Sequence, residues 1–332
     1  MNLPVRHRVA TLSRRRFLAM AAALGAAPKA SAANDFPSRA IRILVGFSAG
    51  SPSDLLARGV AEKMQNHLGQ PVVVENKPGA GGIIAARSLL SAPADGYTLL
   101  VVSAAHAAAP VVTRNLGFDP VRDLAGITRI ANVPSLLVVS PALGVKSLAE
   151  LLGRMREAPG KLNFSSPGKG SANHFAGEYM LAEAGVEAIH IPYRGVPEAV
   201  SAVMAGDSQF SFVPIPNALP LIASGKLLAL ATSTGERSKV APDLPTVAEA
   251  GISGYRFDPW FGLLASAGVP GEARATLIAA AVKSLSSPDL ASRFGTAGAE
   301  ISALPGRRFD EYIEKEIAKF RYIATRAKIE PT

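Results

Sequence analysis

The sequence predicts an α/β protein, and three observations carry that prediction. Short apolar runs rich in β-branched residues alternate with stretches whose apolar residues recur at helical spacing. Twice, a run of this kind leads through a glycine-containing loop into a helix start, at 41–58 and again at 162–174. The chain has 332 residues, 48% of them hydrophobic, which suits a well-buried core and allows two domains.

The elements follow in order. Residues 41–45 (IRILV) read as a buried strand, 46–52 as a loop, and Ser53 onward as a helix with Leu56, Val60 and Met64 on one face, ending near Gly69. A second strand is expected at 71–75, a loop at 76–82 (NKPGAGG), a helix at 83–90 and a third strand at 97–103, followed by a crevice loop at 103–110. Alternation of this kind implies a parallel sheet covered on both faces, with ligands at the carboxyl ends of the strands.

Another strand is expected at 135–141, then a helix opened by the capping box Ser147-x-x-Glu150. The second strand-loop-helix unit comprises 162–164, the loop SSPGKG at 165–170 and a helix capped by Ser171. Strand-helix pairs are then expected at 187–192 with 197–205, 209–213 with 216–224, and 227–232 with 246–250. A core strand at 260–265 precedes a helical end whose last helix, 308–328, carries Phe309, Ile313, Ile317 and Phe320 on one face.

The first 33 residues read as an export signal. Arg6, Arg8, Arg14, Arg15 and Arg16 precede an apolar run at 17–27, and Ala30-Ser31-Ala32 offers a small-x-small cleavage site near Ala32 or Ala33. Ser13-Arg14-Arg15-Arg16-Phe17-Leu18 is similar to the twin-arginine motif, so a periplasmic location is expected. This segment holds six of the 35 Lys and Arg and no Asp or Glu, leaving 29 basic against 26 acidic residues in the mature chain. A nucleic-acid footprint is not expected from so even a balance. Cysteine is absent, which excludes disulfides and thiolate sites. His67, His106, His174 and His190 have no metal-ligand spacing, so neither a metal nor another cofactor is expected.

The two helix starts are anion sites in principle. First-turn N–H groups lack intrahelical partners and the macrodipole adds partial positive charge, so a carboxylate is the natural guest. Candidate ligand-binding residues are therefore Phe47, Ser48, Gly50, Ser51 and Asp54 in the first unit and Ser165, Ser166, Gly170, Ser171 and His174 in the second. Asp54 and His174 are equally readable as capping or packed residues. His106 in the third crevice loop, Tyr193 beside Arg194 after a strand end, and the sole tryptophan, Trp260, complete the set; Trp260 either walls a cleft or sits in the core. Gly46-Phe47-Ser48-Ala49-Gly50 also matches G-x-S-x-G, but no oxyanion loop precedes it and no histidine follows near the C-terminus, which argues against a serine hydrolase using Ser48.

Several blocks in order carry a family resemblance: FPSRAIRILVGFSAGSPSDLLARGVAEKM, PVVVENKPGAGGIIAA, ADGYTLLVVS, SSPGKGSANHFAGE, HIPYRGVPEAVSAVMAGDSQFSF, LLALATSTGERSKVAPDLPTVAEAG and WFGLLASAGVP. Together they resemble the solute-binding proteins of tripartite tricarboxylate transporters, the Bug-type receptors. The resemblance implies a type II periplasmic binding fold, two α/β lobes joined by two crossover strands, with lobe one at 34–138 plus 256–332 and lobe two at 139–255. It implies a monomeric, non-enzymatic receptor that closes over a small organic carboxylate held between the loops at 47–54 and 165–174, and then docks on membrane subunits. A ligand sensor serving a signalling partner would use the same fold. Two departures stand out: Ala49-Gly50-Ser51 replaces the usual P-G-G, and Val213-Pro214 stands where an aspartate is often found, which weakens the case for an amino-acid ligand.

Overall fold

A computed structural model describes residues 36–331, so the expected export signal lies outside the described residues. The chain runs β1 (Ile41–Val45), α1 (Pro52–Leu68), β2 (Val72–Asn76), α2 (Ile83–Leu90), β3 (Thr98–Ser103), α3 (Ala105–Val112) and β4 (Leu124–Asn132). It continues with β5 (Ser135–Val139), α4 (Leu148–Glu157), β6 (Asn163–Ser166), α5 (Ala172–Ala184), β7 (Ile189–Pro192), α6 (Val196–Ala205), β8 (Phe210–Pro214), α7 (Ile215–Ala223) and β9 (Leu228–Thr232). The last part comprises β10 (Trp260–Ser266), α8 (Gly271–Leu285), α9 (Pro288–Thr296), β11 (Glu300–Pro305) and α10 (Arg307–Arg326).

These elements build two α/β lobes around two sheets, ordered β11-β4-β10-β3-β1-β2 and β7-β6-β8-β5-β9. Within each sheet three strands are parallel, β2-β1-β3 in one and β7-β6-β8 in the other. The remaining pairings are antiparallel, so the expected all-parallel sheets are in fact mixed. The cause is chain crossing. Strand β4 leaves the first sheet directly into β5 of the second, and the chain returns from β9 to β10, which inserts between β3 and β4.

The helices form where apolar periodicity and caps agree. Leu56, Val60 and Met64 of α1 are buried, each stabilising the fold by about 1.5–3 kcal/mol relative to exposure, and Gly69 in the left-handed region ends the helix. Ser147 caps α4 by accepting from Glu150 N–H. Phe309, Ile313, Ile317 and Phe320 of α10 are buried, and α10 packs on α3, β4 and α5. Edge-on aromatic contacts fix it, Phe320 to Phe175 at 4.7 Å and Phe309 to Trp260 at 5.6 Å between centroids.

Two expectations fail on local grounds, and two strands go unmarked in the sequence. The crevice loop at 103–110 is largely helix α3, because its alanines favour helix strongly enough to accommodate Pro110 in the last turn. The helix expected at 246–250 is a single turn in which Thr246 and Glu249 cap each other, at 2.9 and 3.0 Å, before Gly251 turns away at φ 125. Strands β4 and β11 had no clear signal, since Gly126 and Arg129 interrupt one run and Pro305 ends the other.

Candidate functional site

The first loop, between β1 and α1, is held from inside. Ser51 caps α1 by accepting from Asp54 N–H at 3.3 Å, and Asp54 in turn accepts from Gly50 N–H at 2.9 Å. Asp54 is buried, and its oxygens also accept from Arg58 Nε at 3.0 and 3.1 Å and from Asn76 Nδ2 at 2.9 Å. Burial works against its ionisation, but these bonds to Arg58, Gly50 and Asn76 outweigh it and hold the carboxyl below its ordinary range. Asp54 is thus a fully engaged anchor. Asn76 also donates to Phe47 O at 3.0 Å and accepts from Arg58, so it clamps both ends of the loop, a role that no motif marks in sequence. Behind the loop, a Cβ on Gly46 would lie 2.4 Å from Gly82 Cα, so the first loop and the loop after β2 meet backbone to backbone.

The second loop, between β6 and α5, has the same construction. Ser171 accepts from His174 N–H at 3.2 Å, and His174 Nδ1 accepts from Gly170 N–H at 3.2 Å. That bond leaves the proton on Nε2, which lies 3.4 Å from Glu178 Oε1. Ser166 Oγ accepts from Gly168 N–H at 3.2 Å and lies 2.7 Å from His190 Nε2. The rings of His174 and His190 stand 4.0 Å apart, and His190 packs at 4.8 Å on Phe164. Burial, followed by the neighbouring His174 ring and Lys169, pushes the His190 pKa down to about 3. His190 and Glu178 were not anticipated. Their link to the loop arises from the parallel pairing of β6 with β7, which places His190 opposite Phe164.

Other expected residues fall in three places. Ser165 is fully buried and donates to Ala199 O at 2.8 Å, a tie between strand and helix facing away from the loop. Tyr193 N–H donates to Ser166 O at 2.9 Å, which seats Tyr193 beside the second loop, while Arg194 is exposed. Trp260 is 0% exposed in the core and donates to Glu316 Oε2 on α10 at 3.0 Å. His106 lies on α3, donates from Nε2 to Pro120 O at 3.3 Å, and lines a narrow cavity together with Phe47. Burial pushes its pKa down to about 4 against the Pro120 bond, so it is neutral at ordinary pH. Helix α3 reaches both units, for its Val112 lies within 3.3 Å of where a Gly170 Cβ would be.

Chemically, each unit offers first-turn N–H groups with no intrahelical acceptor, those of Ser53, Ala172 and Asn173. No group of three metal-ligating side chains is found among the described residues, and no described helix is long and apolar enough to cross a membrane. Ser48 has no histidine partner among the described hydrogen bonds; its carbonyl accepts from Ser51 N–H.

The receptor family of the tripartite tricarboxylate transporters matches residues 56–328. Protein BugT of Bordetella pertussis is 34% identical over 238 residues, covering 71% of this chain and 73% of its own. A Rhodopseudomonas palustris protein solved with adipate is 33% identical with a TM-score of 0.79, over 90% of this chain and 100% of that one. A second R. palustris protein, MatC with bound malate, is 30% identical with a TM-score of 0.75, over 87% and 99%. With two crossed α/β lobes, paired helix-start loops and relatives that are receptors rather than enzymes, the chain belongs to the Bug-type solute-binding receptors of the tripartite tricarboxylate transporter family.

Proposed function

We propose that the mature chain is a periplasmic receptor that traps a small organic carboxylate by lobe closure and delivers it to membrane subunits of its transporter. The observation that carries this reading is the matched pair of helix-start loops, each stiffened by its own N3 side chain. Lobe one is assigned to 34–138 plus 256–332 and lobe two to 139–255, with the export signal at 1–33 and a monomeric working state. Ser53, Ala172 and Asn173 supply backbone N–H groups and Ser51 and Ser171 their hydroxyls next to the ligand, while Gly50 and Gly170, held by Asp54 and His174, shape the two loops. Phe47, Ser48, Ser166 and Tyr193 border the same space. The adipate- and malate-bound relatives favour an acid as guest.

Micromolar affinity needs about 8 kcal/mol, and hydrogen bonds to a charged group contribute about 1.5–3 kcal/mol each, so four or five donors suffice before ordering costs. Closure follows because only the closed state makes both sets of contacts. The test is a thermal-shift screen of chain 34–332 against mono-, di- and tricarboxylates, aromatic acids and amino acids. Ligand at about 100 times its Kd adds about 2.7 kcal/mol, a visible shift. A flat screen, with no acid released from denatured protein in mass spectrometry, overturns the reading.

A further inference from the structure

Three strand-end segments of the first sheet converge on one narrow cavity. Phe47 comes from the loop after β1, Gly82 and Ile83 from the segment after β2, and Ser103 from the end of β3, with His106 and Phe118 closing the far side. Its volume is about 10 Å³, room for one water or one ligand group of similar size. The lining contains no lysine, arginine or acidic residue. Its polar edge consists of Ser103 and His106. Ser103 Oγ accepts from Ala105 N–H at 3.3 Å and keeps its own proton to donate. His106 Nε2 faces a carbonyl, which can only accept, so Nε2 carries the proton and Nδ1 is the bare acceptor.

We infer that this cavity takes the end of the ligand remote from its carboxylate, and that this end is a small uncharged group, a methyl or a hydroxyl. The inference rests on the receptor reading and names its ligand class. Phe47 belongs both to the carboxylate loop and to the cavity wall, so the two adjoin at one side chain. A second carboxylate would meet no cation, a bare imidazole nitrogen and apolar walls; leaving it there unpaired is costly, because charge without a partner is poorly solvated in such surroundings. Adipate and malate, bound in two solved relatives, carry a second carboxylate and are the contrast that tests this class.

The test is isothermal titration of the mature chain with matched acids of four and six carbons: succinate against butyrate and 4-hydroxybutyrate, adipate against hexanoate and 6-hydroxyhexanoate. At the length that binds, the uncharged-end acids are expected to bind at least about tenfold tighter than the diacid, equivalent to about 1.4 kcal/mol. A diacid that binds equally or more tightly overturns the inference and leaves the receptor reading intact. Binding of no acid at either length, with none released on denaturation, removes both. Ala109→Leu, which fills the cavity from α3, is expected to weaken the uncharged acids by at least tenfold. Should that variant not fold, Ser103→Ala serves instead: it should abolish any preference for the hydroxyl over the methyl end, and an unchanged preference counts against the inference.

Discussion

Asp54 and His174 hold the same position in the two lobes. Each is the third residue of its helix, each accepts from the glycine N–H four residues earlier, at 2.9 and 3.2 Å, and each donates its own N–H to the capping serine, at 3.3 and 3.2 Å. They differ in charge: one loop contains a built-in carboxylate neutralised by Arg58, the other a neutral ring. An incoming anion therefore meets different charge in the two caps, a carboxylate paired with Arg58 in the first and a ring facing Glu178 in the second.

That difference predicts the effect of His174→Asp. The new carboxylate still accepts from Gly170 and gains from the helix N-terminus, while Glu178 one turn on repels it by a few tenths of a kcal/mol. Stability should change by less than about 1 kcal/mol. Carboxylate affinity should nonetheless fall at least about tenfold, or about 1.4 kcal/mol, in isothermal titration. An unchanged affinity would show that the second loop does not hold the anion.

Asp54 lends itself to a graded test. Asp54→Asn keeps an acceptor for Gly50 and loses the ion pair to a half-exposed Arg58, which should cost about 1 kcal/mol in urea unfolding. Asp54→Ala strands Gly50, Asn76 and Arg58 together and should cost about 2–3 kcal/mol, with weaker ligand binding as the loop loosens.

Buried neutral histidines make stability pH-dependent in a definite direction. With His106 at about 4 when folded and about 6.5 when unfolded, the unfolded chain takes up the proton first. Stability is full above about pH 6.5, falls as pH drops towards 4, and is flat below for this group. Between pH 7 and 5 His106 alone should account for about 2 kcal/mol. His190, depressed to about 3, acts in the same direction over a window reaching lower. Carboxylates such as Asp54, held low when folded, act only at more acid pH. Urea titrations at pH 7 and 5 should show the loss, and His106→Gln should flatten it; an equal slope in the variant refutes the assignment.

Gly46→Ala is a backbone test of the first loop. The added methyl would sit 2.4 Å from Gly82 Cα, a backbone atom that cannot rotate aside. Overpacking of this kind typically costs about 1–3 kcal/mol. The variant should lower the unfolding midpoint and disturb the cavity that Gly82 lines, whereas Gly153→Ala, where a Cβ would meet open space, should not.

Much of this was legible in the sequence because it depends on local chemistry. Helix faces such as Leu56-Val60-Met64, the caps Ser147 and Ser171, and both strand-loop-helix units follow from spacing alone, whereas the first helix starts at Pro52 with Ser51 as its cap rather than at Ser53. Contacts fixed by pairing between distant strands were not. His190 reaches Ser166 only because β7 lies beside β6, and Asn76 reaches Asp54 only because β2 lies beside β1. The part of His174 in the second cap was hidden because an imidazole is not the usual Glu or Gln at that position. Trp260 could be placed only by knowing that α10 returns to cover β10, where Glu316 meets the indole.

The crossing of the strands has a consequence for biosynthesis. All five strands of the second sheet lie in one continuous stretch, from Ser135 to Thr232. The first sheet is different, since β10 separates β3 from β4 and is made only after the whole second sheet. Until residue 266 has emerged, β3 and β4 each present an open edge with no strand between them. Nucleation therefore favours the middle of the chain, and β3 and β4, though made earlier, wait for β10 before their sheet is complete.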